Sequence, residues 1–144
     1  MPFLTGGPID PQALAQDLAA PARGAEVLFI GTVRDHHGGR AVVELEYSAY
    51  GPMAERECTR IMEEARNRWP VEIALRHRVG RLAIGDVAVV VVAAGGHRDE
   101  AFAACRYVIE ETKRRVPIWK RKRYAGGEEA WVDPTAAEEL RTSP

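Results

Sequence analysis

Val87-Ala-Val-Val-Val-Val-Ala-Ala94 is an unbroken apolar run with five valines. A strand turns successive side chains to opposite faces, so a run with no polar residue demands cover on both. The expectation is a central, fully buried strand. Gly95-Gly-His-Arg98 follows at once and leads into a helical pattern, in which Ala101, Phe102, Cys105, Val108, Ile109 and Thr112 fall on one side between about residues 100 and 115. Asp99 is the predicted N-cap, and Pro117 closes the segment.

Upstream of the run, residues 71–79 (VEIALRHRV) read as a strand, separated from it by the Gly80 to Asp86 segment. Before that, Met53, Ala54, Cys58, Ile61, Met62, Ala65 and Trp69 recur at helical spacing opposite Glu55, Arg56, Glu63, Glu64 and Arg66, which predicts an amphipathic helix over 52–69 ended by Pro70. Residues 25–33 (AEVLFIGTV) read as a buried strand and 42–50 (VVELEYSAY) as another. The glycine-containing turn Asp35-His-His-Gly-Gly39 between them suggests a hairpin. Asp10-Pro11 opens a short helix to about Ala20 after a poorly ordered lead over 1–9. At the other end an extended tail reaches Trp131-Val132, Asp133-Pro134 caps a last short helix, and residues 141–144 fray. Helices and strands in this order make an α+β plan.

The chain has 144 residues, 46% apolar and 28% charged, with a formal charge of −1. This is ordinary globular composition, expected as a single domain over 1–144 with its core at about 25–132. No stretch has the length of a membrane span or the form of a signal peptide, so the expected compartment is the cytoplasm. Near-neutral charge argues against a general nucleic-acid coat protein. Cys58 and Cys105 match no metal or redox spacing and sit among apolar residues as small hydrophobes.

The charge is nevertheless concentrated. Lys113-Arg-Arg-Val-Pro-Ile-Trp-Lys-Arg-Lys-Arg123 has seven cations in eleven residues. Lys113 and Lys120 flank the break at Pro117, an arrangement that can aim two amines at one spot, and like charges nearby can lower a lysine pKa toward a useful acid-base or nucleophilic range. A solvated charge run and a polyanion-binding stripe are the competing readings. Gly95-Gly-His97-Arg98 lies where a strand enters a helix, so its amides and the positive end of the helix dipole suit an anion; a plain solvated turn is the alternative. Arg34 ends the strand over 25–33, where either a ligand group or a surface residue fits. Asp35-His36-His37 lacks the second cluster of ligands a closed metal site needs. His77, Tyr47 and Tyr50 read as structural packing groups.

In chain order, Gly31-Thr-Val-Arg34, Leu45-Glu-Tyr47 with Ala49-Tyr50 and Met53-Ala54, His77-Arg78-Val-Gly80 with Gly85-Asp86, His97-Arg98 with Ala101-Phe102, and Lys113 through Pro117-Ile-Trp-Lys120 resemble the catalytic large subunit of molybdopterin synthase. The resemblance covers about residues 25–132. It implies an α/β hammerhead-type fold with a mostly antiparallel sheet and flanking helices. It also implies a homodimer that forms a heterotetramer with two small ubiquitin-like sulfur-carrier subunits, each with a C-terminal Gly-Gly thiocarboxylate. The implied activity is a sulfurtransferase that inserts two sulfurs into cyclic pyranopterin monophosphate to make the molybdopterin dithiolene, in molybdenum cofactor biosynthesis, with no metal or cofactor of its own.

Carried over by motif, Lys113 and Lys120 are the catalytic pair, and Thr32, Val33, Arg34, His97, Arg98, Lys113, Lys120, Arg121 and Lys122 line the pterin site. The family's pocket is shared across the dimer, so His97 and Arg98 serve the neighbouring subunit's lysines. Because sulfur arrives on the partner, no catalytic cysteine is required. The chain departs from the family after Trp119-Lys120, where an acidic residue is common and Arg121-Lys122-Arg123 stands instead.

Overall fold

The computed structural model describes residues 2–132. The short helix expected after Asp133-Pro134 and the frayed end at 141–144 lie outside the described residues. The apolar run forms β7 (Val87–Gly95), a central strand of a four-stranded sheet ordered β1 (Leu4–Thr5), β5 (Val71–Arg78), β7, β2 (Ala25–Thr32). Its two faces meet different partners. Val89, Val91 and Ala93 join the main core with residues of α2 (Gly51–Arg68) and α3 (Arg98–Arg115). Val90 and Val92 point the other way, where Ala15 of α1 (Pro11–Asp17) covers them together with Leu14, Leu18 and Leu28. Each fully buried valine is worth about 1.5–3 kcal/mol, so removing polar residues from both faces is what holds α1 on the sheet. The expected cap starts this short helix: the Asp10 carboxylate accepts from the amides of Gln12 (3.1 Å) and Ala13 (3.2 Å).

The second sheet is built around β4 (Arg40–Ala49). It pairs with β3 (His36–His37), β6 (Gly80–Ala83) and β8 (Ile118–Tyr124), and β8 carries β9 (Glu129–Val132) on its other edge. Among the described residues every ladder is antiparallel except β1 with β5, as an α+β plan with mostly antiparallel sheet requires.

Four sequence expectations need correction. Residues 25–33 and 42–50 do not pair: β2 runs beside β7, while the Gly38-Gly39 turn, with φ of +58° and +79°, closes only the two-residue ladder of β3 on β4. A fully apolar strand such as β7 needs partners on both edges, and β2 supplies one. It does so as an edge strand, leaving Phe29 and Ile30 exposed rather than buried. Within the lead, Phe3 and Leu4 are tied to the fold, because their amides donate to the Glu55 carboxylate (2.9 and 2.8 Å) and the His77 amide donates to the Phe3 carbonyl (2.8 Å). Finally, α3 begins at Arg98 after His97 as N-cap, and Asp99 sits in the first turn, where it favours the dipole without capping.

Between β2 and the second sheet the chain is steered. A Cβ on Gly31 would lie 2.7 Å from Val89 Cγ1, so only glycine fits there, and the ladder is irregular between Gly31 and Thr32. Such a bulge bends a strand and re-aims the residues after it. Val33 is then gripped on both backbone groups, its amide donating to Asp86 O (3.0 Å) and its carbonyl accepting from Gly85 N (2.9 Å).

Candidate active site

A cavity of about 210 Å³ opens between the two sheets, lined by Thr32 and Arg34 from the end of β2, Tyr47 from β4, Lys113 from the last turn of α3, and Lys120 and Lys122 from β8. His36 and His37 complete its polar rim. Among the described residues, none that lines it is acidic, so the cavity is a local anion trap in a chain of near-zero charge.

The two lysines do converge across the Pro117 break. Strand β8 explains how, because its inward residues Ile118, Lys120, Lys122 and Tyr124 alternate with Trp119, Arg121 and Arg123 on the opposite face. Lys122 is only 3% exposed. Arg121 forms an ion pair with Glu46 and a second with Glu129 (3.5 Å), and its guanidinium lies 5.4 Å from the Trp131 ring centre. It therefore stands on the outer face of β8 and does not line this cavity. Val33 is likewise a core residue, 3% exposed, that positions its neighbours through its backbone.

The polyanion stripe dissolves on the same grounds. Arg114 pairs with Glu111 (3.1 Å), Arg123 with Glu129 (3.3 Å), and Arg115 with Glu57 (2.6 Å), Glu64 (2.7 Å) and Glu111 (3.1 Å), tying α3 to α2. These carboxylates neutralise the very residues that would have continued the stripe.

Burial, first, and then the charges of Lys120 and Arg34 lower the pKa of Lys113 to about 8. Desolvation, and not the like charges expected from the sequence, is the larger cause, because the last turn of α3 packs against residues of both sheets. Two neighbours read as packing groups belong to the same locale. His77 lies behind the lysines, its ring edge-on to Tyr47 with centroids 5.0 Å apart, and its pKa is lowered to about 4 by burial and by Lys113 and Lys120. Burial raises Tyr47 to about 12. Parity in β5 carries a signal for His77: Val71, Ile73 and Leu75 are its inward companions. That pattern shows the face and not what stands opposite.

Both cysteines are buried, with thiols raised to about 12 for Cys58 and about 11 for Cys105, chiefly by burial. Neither is a thiolate at neutral pH. His36 Nδ1 lies 2.8 Å from the Asp35 carboxylate, and no group of three or more His, Cys, Asp or Glu among the described residues could hold a metal.

His97 and Arg98 stand apart from all this. They open α3 whereas Lys113 ends it, and fifteen residues of helix at 1.5 Å each separate Arg98 from Lys113 by about 22 Å. Within one chain they cannot reach the cavity.

Against known proteins, the chain matches the MoaE protein family over residues 4–115. It is 43% identical over 129 residues to the molybdopterin synthase catalytic subunit of Nostoc sp., covering 88% of this chain and 76% of that one. It superposes on the crystal structure of molybdopterin synthase from Staphylococcus aureus with a TM-score of 0.86 and 34% identity, covering 91% of this chain and 96% of that one. A complex of subunits 1 and 2 of molybdopterin-converting factor from Helicobacter pylori shares the fold at a TM-score of 0.75 and 22% identity, covering 90% of this chain and 88% of that one.

Proposed function

We propose that this chain, which belongs to the MoaE protein family, is the catalytic subunit of a molybdopterin synthase, moving sulfur from a thiocarboxylated small subunit to cyclic pyranopterin monophosphate. The observation that carries this reading is the convergence of Lys113 and Lys120 with Arg34 on one cavity without acidic lining residues, with Lys113 lowered to about 8. Both reactants are anionic, one a phosphorylated pterin and the other a thiocarboxylate, and both suit that field. With a pKa of about 8, roughly a tenth of Lys113 is neutral amine at pH 7, enough to attack the thiocarboxylate carbonyl, the C–S bond breaking so that sulfide passes to the pterin and an amide is left for water to cleave, while cationic Lys120 polarises the carbonyl and manages the proton. The sulfur rides in on the partner, so buried, protonated Cys58 and Cys105 are no obstacle. Thr32, Arg34 and Lys122 hold the pterin beside the lysines. The reaction is set in the cytoplasm; no helix among the described residues is long and apolar enough to cross a membrane.

The distance of His97 and Arg98 from the cavity fits a homodimer. Among the described residues strand β2 pairs only with β7 and leaves its other edge open, with Phe29 exposed near Phe102 of α3 and Ile30 exposed on the opposite face. One end of β2, at Ala25, lies against Gly95 next to the His97-Arg98 turn; the other, at Thr32, leads to the cavity. Two copies joined antiparallel through these edges put each one's His97-Arg98 turn beside the other's Thr32 and Arg34, which supplies the missing anion-binding amides and side chains. Two small subunits complete a heterotetramer.

The test is an assay with thiocarboxylated small subunit and cyclic pyranopterin monophosphate. Wild-type protein should form the dithiolene, and Lys113→Ala and Lys120→Ala should not, with circular dichroism unchanged. Full activity in both variants would end the assignment of the lysines. Steeply salt-dependent binding to RNA or DNA, with no sulfur transfer, would favour a polyanion-binding module instead.

A further inference from the structure

Thr112 precedes Lys113 on α3, and its Oγ1 is buried with no hydrogen-bond partner among the described residues. Native proteins seldom leave such a group unsatisfied, and each case asks for a reason. A helical threonine can turn its hydroxyl back to a carbonyl of the preceding turn; this one makes no such bond, and Thr112 lines a small space shared with Tyr47, His77, Lys113 and Lys120. Its volume, about 10 Å³, is at the lower limit for a single water molecule.

His77 contributes to the same space. Its Nδ1 lies 2.8 Å from the Arg78 carbonyl oxygen, and a carbonyl can only accept. Nδ1 therefore carries the proton, and in the neutral ring Nε2 is an acceptor. The edge contact with Tyr47 fixes the plane of the ring. Behind the Lys113 amine the fold thus has two acceptors, one from β5 and one from α3, in surroundings otherwise made of Ile109, Val116 and Ile118.

We propose that His77 Nε2 and Thr112 Oγ1 are positioning groups for Lys113, accepting from its amine through one buried water, so that its nitrogen is held toward the reaction cavity. This deepens the sulfur-transfer reading and rests on it for the purpose served, although the contact itself does not. A lysine with four rotatable bonds needs such a hold to present its lone pair in one direction. The two acceptors also stabilise the ammonium, against the opposing effects of burial and of the cations that face it, Lys120 and Lys122 on β8 and Arg34 after β2; His36 and His37 line the outer rim, and the Tyr47 phenol remains neutral.

The experiment reads Lys113 itself, by NMR titration of its side chain in full-length protein without substrate. Removing an acceptor should move the midpoint further down. His77→Phe is expected to lower it by about one pH unit or more, His77→Gln, which restores an acceptor, to bring it back toward the wild-type value, and Thr112→Val to lower it in the same direction. Thr112→Val, which keeps the shape of the side chain, should retain the wild-type fold by circular dichroism, while its kcat for sulfur transfer falls at least several-fold with KM unchanged. A Lys113 midpoint unmoved in both His77→Phe and Thr112→Val overturns the proposal. If His77→Phe fails to fold, Thr112→Val decides alone. Absence of sulfur transfer in the wild type would sink the functional reading while leaving the titration result to stand or fall separately.

Discussion

Lys120 and Arg121 are adjacent in sequence and serve opposite faces of β8: Lys120 lines the cavity, and Arg121 is bridged to Glu46 and Glu129 outside it. Their substitution should separate accordingly. Lys120→Ala is expected to cut sulfur transfer by a factor on the order of 100 or more. Arg121→Ala should change kcat by less than about threefold and cost about 1 kcal/mol of stability through its partly exposed ion pairs. Steady-state kinetics and thermal melts on the two variants measure both halves, and equal losses of activity would place Arg121 in the site after all.

Lys113 should show the opposite signs for stability and activity. Its folded pKa of about 8 lies below the ordinary lysine value of 10.5, so the folded state is penalised for holding the ammonium. The penalty is complete below pH 8 and is relieved as pH rises from 8 toward 10.5, a window in which this group makes the wild type more stable. Lys113→Met removes it. The variant should be inactive yet more stable at pH 7, by up to roughly 3 kcal/mol, and its stability should lack the alkaline rise seen in urea titrations of the wild type.

For His77 the window is acidic. Its folded pKa of about 4 lies below the ordinary 6.5, so the stability linked to the neutral ring is fully present above pH 6.5 and is lost as pH falls from there through 4. Denaturant midpoints should decline across that range and should decline less in His77→Gln. The carboxylate of Glu64, lowered to about 2 by its bonds from Arg115 and Tyr107, contributes stability that is fully present above the ordinary carboxylate pKa and is lost only as pH falls from there toward 2, mostly below the His77 window.

If the site is completed across β2, two inactive variants should rescue one another. His97→Ala and Lys113→Ala homodimers are each expected to be inactive. After joint refolding in equal amounts, half the dimers are mixed and each mixed dimer has one intact site, so activity should recover to about a quarter of wild type. Ile30→Asp, on the exposed β2 edge, should yield monomers by analytical ultracentrifugation and abolish rescue. No recovery from co-refolded, dimeric variants would rule out the shared site.

What the residues determined by themselves is local or periodic. The run at 87–94 demanded two-sided burial, and β7 has it. Asp10 specified a cap, the 3.6-residue pattern specified α2 and α3, and the inward parity of Lys120 and Lys122 on a strand was available from their spacing. These properties depend on neighbours within a few positions, so sequence alone carries them. Tertiary structure decided which strands meet. Residues 25–32 could have paired with 40–49 through a glycine turn, yet the larger burial gained by closing the free edge of β7 took β2 there and sent β4 to a different sheet. It also decided what stands opposite each inward face: that His77 and Thr112 back Lys113, that Arg121 turns to Glu46, and that His97 lies a full helix away from the lysines. Those outcomes rest on contacts between residues tens of positions apart, whose free energy depends on burial and distance that no local pattern contains.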